Sequence, residues 1–168
     1  MLKIGDLAPS FCAANQDDVE ICSRDLAGKW IVLYFYPKDL TPGCTTQACD
    51  FTDKHSFFDD LDAVILGVST DDTEKHRKFI DKYDLTITLL SDSSKKMCEE
   101  FGVWQLKQFM GKEFMGVVRT TFIINPEGKI AAIWDKVSVR KKKSVKGEKI
   151  EILHVDEVRT KLQELQSK

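Results

Sequence analysis

The 168-residue chain has no excess of charge of either sign: 25 basic residues stand against 27 acidic ones, a formal net charge of −2. Nothing global draws it to nucleic acid or to an anionic membrane, and neither partner is expected. It also lacks a long apolar run. The longest, residues 30–36, falls far short of the roughly 20 residues that span a bilayer, and Gly5, Asp6, Pro9 and Asn15 interrupt the stretch where a secretory leader would lie. A cytoplasmic address is the resulting expectation. No C-x-x-C occurs, which counts against a general dithiol exchanger. No internal repeat and no linker divides the chain, so residues 1–168 read as a single domain.

What is present is an ordinary globular composition, 42% hydrophobic and 31% charged, which excludes a disordered or collagenous chain. Residues 30–36, β-branched and aromatic and closed by Pro37, read as a central strand buried on both faces. Residues 63–69, 85–90 and 117–124 repeat the pattern. Between them the spacing predicts helices over 44–58, over 73–83 behind a capping Asp71, and over 94–101 before Gly102. Asn125 to Gly128 is a turn, residues 129–139 supply the returning strand, and Val155, Val158, Leu162 and Leu165 form the stripe of a last helix. The order is that of an α/β fold, a sheet covered by helices. Residues 140–149 hold six basic residues and one acidic. With no aromatic interleaved to touch bases, they read as a solvated loop.

Five cysteines, Cys12, Cys22, Cys44, Cys49 and Cys98, are an odd number and in a reducing compartment argue for thiol chemistry or burial, not for a disulfide framework. Cys12 and Cys22 read as small core hydrophobes. Cys44 is different. It follows the first central strand through Pro42 and Gly43 and opens a helix, at the strand end where α/β sheets carry function. Unpaired N–H groups and the dipole favour an anion there, and a free thiol of pKa about 8.5 gains thiolate character in such a place. Cys49 lies five residues on, roughly 140° around the helix with a rise near 7.5 Å. A disulfide needs Cα atoms within about 7 Å and facing Cβ vectors, so a Cys44–Cys49 bond requires the helix to unwind. An iron–sulfur pattern lacks its companion cysteine. A zinc site of Cys44, Cys49 and His55 lacks a fourth ligand and the usual spacing. A non-enzymatic redox or metal-binding module is the competing class of function.

The residues Pro37-x-x-x-Thr41-x-x-Cys44, the partner Cys49, and Arg119-Thr-Thr-Phe-Ile-Ile-Asn125 with Gly128 resemble the Q-type peroxiredoxins, the bacterioferritin comigratory protein family. The likeness runs in order from Gly5-Asp6-x-Ala8-Pro9-x-Phe11 through Phe101-Gly102-Val103 to the last helix. It implies a thioredoxin-like fold, a central mixed β-sheet flanked by helices, and a thioredoxin-dependent peroxidase acting on hydrogen peroxide and organic hydroperoxides, monomeric and without metal or organic cofactor. Cys44 is then the peroxidatic cysteine, Thr41 holds peroxide and thiolate, Pro37 shields the pocket and Arg119 stabilises the charge. The family places its resolving cysteine either five residues after the nucleophile or on the later helix before Phe-Gly-Val, so Cys49 is the expected resolver and Cys98 the alternate. Two departures stand out. Gln47 occupies a position more often glutamate, and the basic segment lengthens a connection that is usually short.

Overall fold

A computed structural model describes residues 1–168. Its core is a mixed sheet of seven strands in the order β2-β1-β5-β4-β3-β8-β9. The strands are β1 Cys12–Asn15, β2 Glu20–Cys22, β3 Trp30–Phe35, β4 Ala63–Ser69, β5 Thr88–Ser91, β8 Thr120–Ile124 and β9 Ile130–Trp134. β3 runs parallel to β4 and antiparallel to β8, and β4 runs parallel to β5. The period of two in β3 divides the core: Val32, Tyr34 and the following Tyr36 face one side, Ile31, Leu33 and Phe35 the other. The first side is covered by α1 Pro42–Asp53, α2 His55–Asp60, α3 Thr73–Tyr83 and α5 His154–Gln166. The second is covered by α4 Lys96–Glu100 with Phe11, Phe101, Val103 and Val117.

Several expectations are corrected. The helix foreseen over 44–58 is two helices broken at Lys54. Thr86, in the loop before β5, holds both sides of the break: its N–H donates to Thr52 Oγ1 and its hydroxyl meets His55 Nδ1. Asp72 caps α3, accepting from the Lys75 N–H, and Asp71 is occupied elsewhere. Asp92 accepts from the N–H groups of Met97 and Cys98, which starts α4 later than Ser94 suggests. Leu85 and Ile87 are buried without strand pairing, so β5 begins at Thr88. The strand foreseen over 117–124 is split, because Val117 ends β7 (Lys112–Val117), which pairs with β6 (Trp104–Phe109) as a separate hairpin. The returning strand ends at Trp134, not at residue 139.

Two larger corrections concern charge and sulfur. The basic segment is no loop: β10 (Arg140–Val145) and β11 (Glu148–Leu153) pair antiparallel around Lys146 and Gly147, both at positive φ, the conformation that two-residue hairpins demand. Cys12 and Cys22 are not two core hydrophobes. Cys12 is exposed, and the pair is bonded as a disulfide across β1 and β2. No helix is long and apolar enough to cross a membrane.

Candidate active site

After β3 the chain runs through Tyr36 and Pro37 into a short loop whose centre is Asp39, 1% exposed. Asp39 accepts from the Tyr36 hydroxyl, meets His76 Nδ1 of α3, and donates its own N–H to the Asp71 carboxylate. His76 Nε2–H donates to the Leu90 carbonyl of β5. A carbonyl can only accept, so the Nδ1 contact is an imidazolium–carboxylate pair or its neutral equivalent, and its burial requires both partners. The network fixes a loop in which Leu40 sits at φ 66°, a conformation a leucine rarely adopts. Neither Asp39 nor His76 is singled out by the sequence, where His76 stands with Phe79, Ile80 and Tyr83 at helical spacing on an apolar stripe. The available signal was a polar ring on that stripe.

The loop delivers the chain to α1 with Thr41 at the N-cap, Pro42 at N1, Gly43 at N2 and Cys44 at N3. The Thr41 hydroxyl donates to the Lys38 carbonyl at 2.7 Å. Cys44 is 2% exposed, and no acidic residue stands in the first turn of its helix to neutralise the dipole. Arg119, just before β8, reaches it across the sheet: Nη2 lies 3.4 Å from Cys44 Sγ, and Nη1 donates to Gln47 Oε1 at 2.6 Å. Its backbone is held from the other side, the Arg119 carbonyl accepting from the Val137 N–H. A Cβ at Gly43 would stand 3.2 Å from Arg119 Nη2, so the missing side chain lets the guanidinium approach. The amide at position 47 serves the arginine as acceptor, as a carboxylate would, without adding a negative charge beside the thiol. Lys107, on β6, donates to the Val117 carbonyl; its pKa is lowered by burial and by Arg119, an effect Cys44 opposes.

The fold thus brings Pro37, Thr41, Cys44 and Arg119 to one end of β3. Cys49 lies on the same helix and is half-buried, and both it and the buried Cys44 are free thiols. Burial, then Asp53 and Asp50, push the Cys49 thiol pKa up, and Arg140 opposes them. Cys98 lies elsewhere. It is 0% exposed in the core of the opposite sheet face, and burial together with Asp92 raises its pKa. The metal-type side chains drawn within 4.8 Å of one another are Cys12, Glu20 and Cys22, not Cys44, Cys49 and His55, and two of those sulfurs are bonded to each other. A thiol in the first turn of a helix beside a guanidinium has hydrogen-bond donors at hand for an anion formed at that place.

The sequence profile of the AhpC/TSA family matches residues 4–133. Peroxiredoxin Bcp of Bacillus subtilis is 50% identical over 139 residues, covering 83% of this chain and 88% of that protein. Peroxiredoxin Bcp of Escherichia coli is 44% identical over 134 residues, 80% of this chain and 86% of that one. A cysteine-to-serine mutant of PrxQ from Xylella fastidiosa superposes with a TM-score of 0.85 at 31% identity, covering 99% of this chain and 98% of that one. The bacterioferritin comigratory protein of Xanthomonas campestris, described for alkyl peroxide reduction, gives 0.79 at 35% identity, covering 92% and 91%.

Proposed function

The chain belongs to the AhpC/TSA family and is a peroxiredoxin of thioredoxin-like fold, a thiol peroxidase, and from that premise we propose that Cys44 is its nucleophile, Cys49 its resolver and thioredoxin its reductant. The Cys44 thiolate attacks one oxygen of ROOH. The O–O bond breaks, sulfur keeps the attacked oxygen as a sulfenic acid, and the other oxygen leaves with a proton as ROH or water. The Cys49 thiol then condenses with the sulfenic acid, forming the S–S bond and releasing water. A dithiol protein reduces that disulfide by exchange through a mixed disulfide and leaves oxidised itself.

The observation that carries the assignment is the 3.4 Å contact of Arg119 with Cys44 at the third position of α1. Arg119 stabilises the thiolate and the charge developing on the departing oxygen. Thr41 trades its bond to Lys38 for one to the peroxide by turning its hydroxyl, and Pro37 keeps water from the sulfur. Residues 1–168 act as one domain, a cytoplasmic monomer in antioxidant defence that accepts hydrogen peroxide and organic hydroperoxides. No metal or organic cofactor enters the reaction, which sulfur and proton transfer complete.

The test is turnover of hydrogen peroxide and of cumene hydroperoxide coupled to NADPH through thioredoxin and thioredoxin reductase, with solution mass measured alongside. Continuous turnover by a monomer, abolished in Cys44→Ser, is expected. A single burst with no recycling would instead mark a redox switch, the competing reading.

A further inference from the structure

The β10–β11 hairpin lies beyond the residues matched by the family profile, 4–133, yet it reaches back to the helix that carries both reactive cysteines. Arg140, its first residue, grips Asp50 of α1 with a fork: Nη2 lies 2.6 Å from Oδ1 and Nε 3.2 Å from Oδ2. Glu151 of β11, diagonal to Arg140 and in register with Lys142, holds the same guanidinium through Nη1 at 3.3 Å. Asp50 is 3% exposed and is the residue after Cys49. A bidentate arginine on a buried carboxylate is among the stronger polar ties a helix can have.

That tie sits on a helix with modest anchorage. The buried residues of α1 are Cys44, Gln47, Ala48, Asp50 and Phe51, so apart from the cysteine only Ala48 and Phe51 are apolar. Thr45 Oγ1 and Gln47 Nε2 are buried without hydrogen-bond partners, which costs the wound helix stability that opening would recover. Winding of α1 also keeps Cys44 and Cys49 apart, so the helix must open before the two sulfurs meet.

We propose that Arg140 is a positioning residue for the resolving step: by clamping Asp50 it keeps α1 wound and sets how often Cys49 is released toward oxidised Cys44. This rests on the reading of Cys49 as resolver. The step itself is unchanged, Cys44–SOH plus HS–Cys49 giving the disulfide and water. What Arg140 governs is the population of the open helix in which it occurs. Without the guanidinium, Asp50 is a buried carboxylate with no cation, and unwinding becomes its route to water. Slow opening leaves the sulfenic acid exposed to a second peroxide and to sulfinic acid, so the clamp also sets peroxide tolerance.

The experiment is stopped-flow tryptophan fluorescence of the reduced full chain mixed with hydrogen peroxide, resolving sulfenic acid formation from disulfide formation. It is read for the wild type, Arg140→Gln, Arg140→Lys and Asp50→Asn, with the disulfide mapped in each. In Arg140→Gln the first phase is unchanged and the second accelerates roughly tenfold, the effect of about 1.4 kcal/mol. Asp50→Asn moves the same way. Lysine keeps the charge but loses the fork, and falls between. The peroxide concentration that inactivates half the protein per turnover rises in proportion. An unchanged or slower second phase in Arg140→Gln and Asp50→Asn, with the disulfide still at Cys44 and Cys49, overturns the proposal; lowered thermal stability alone would then show a merely structural contact. A disulfide mapped to Cys44 and Cys98 would instead remove the resolver reading, and this inference with it.

Discussion

Cys12 and Cys22 face each other across β1 and β2 with Cα atoms 4.0 Å apart and are bonded, whereas Cys44 and Cys49 ride one helix five residues apart and are both free. The difference lies in secondary structure, not in sulfur. Antiparallel register places opposed residues on the same side of the sheet, so the first pair meets as soon as the hairpin forms. A helix sends the second pair to different sides, so bonding there is a conformational event. Whether two cysteines are bonded or free in the folded chain thus follows from where they sit in the backbone pattern.

The two pairs answer differently to substitution. Cys49→Ser breaks the helical pair: one equivalent of peroxide takes Cys44 to the sulfenic acid and releases one equivalent of alcohol or water, thioredoxin-driven cycling stops, and each further equivalent carries Cys44 to sulfinic and then sulfonic acid, read by NADPH consumption and intact mass. Arg119→Met leaves the geometry of that pair and removes the cation beside Cys44. The rate of sulfenic acid formation should fall by about 10²–10³, in line with the loss of a donor to developing charge. Breaking the strand pair with Cys12→Ser should leave that rate unchanged and lower stability by about 3 kcal/mol in a denaturant melt, the chain-entropy value for a loop of this length.

The regions also part company in acid. His154, on α5, packs at the sheet face that carries α1, edge-on to Trp134 and bonded through Nε2 to the Thr121 hydroxyl. Burial first, then Lys141 and Arg119, lower its pKa from 6.5 to about 4. Its ring is therefore neutral at neutral pH, and the 3.7 Å approach of Glu157 to Nδ1 is no ion pair there. The unfolded chain takes up the proton near 6.5 and the folded chain only near 4, so this contribution is present above the first value and lost as pH falls toward the second. At pH 5 the loss amounts to about 2 kcal/mol. Denaturant melts at pH 7 and pH 5 should show that excess loss in the wild type relative to His154→Gln.

The sheet was legible because β3, β4 and β8 are buried on both faces and their composition says so. The place of Cys44 in the first turn of a helix after the central strand was legible because its spacing from strand and helix start is local. Other features depended on contacts distant in sequence. Strand β10 is exposed throughout and its run of basic residues carries no alternation, so its charges read as a loop. The break at Lys54 is held by Thr86, and the loop before α1 by His76, neither visible from the segment it acts on. The Cys12–Cys22 bond needed a strand register that two short strands do not announce.

The most direct measurement is mass spectrometric mapping of the fully reduced protein after one equivalent of hydrogen peroxide. One equivalent supplies oxidation for one disulfide, and the account predicts that it joins Cys44 to Cys49. A bond between Cys44 and Cys98, or a Cys12–Cys22 bond formed while Cys44 remains a thiol, would contradict it.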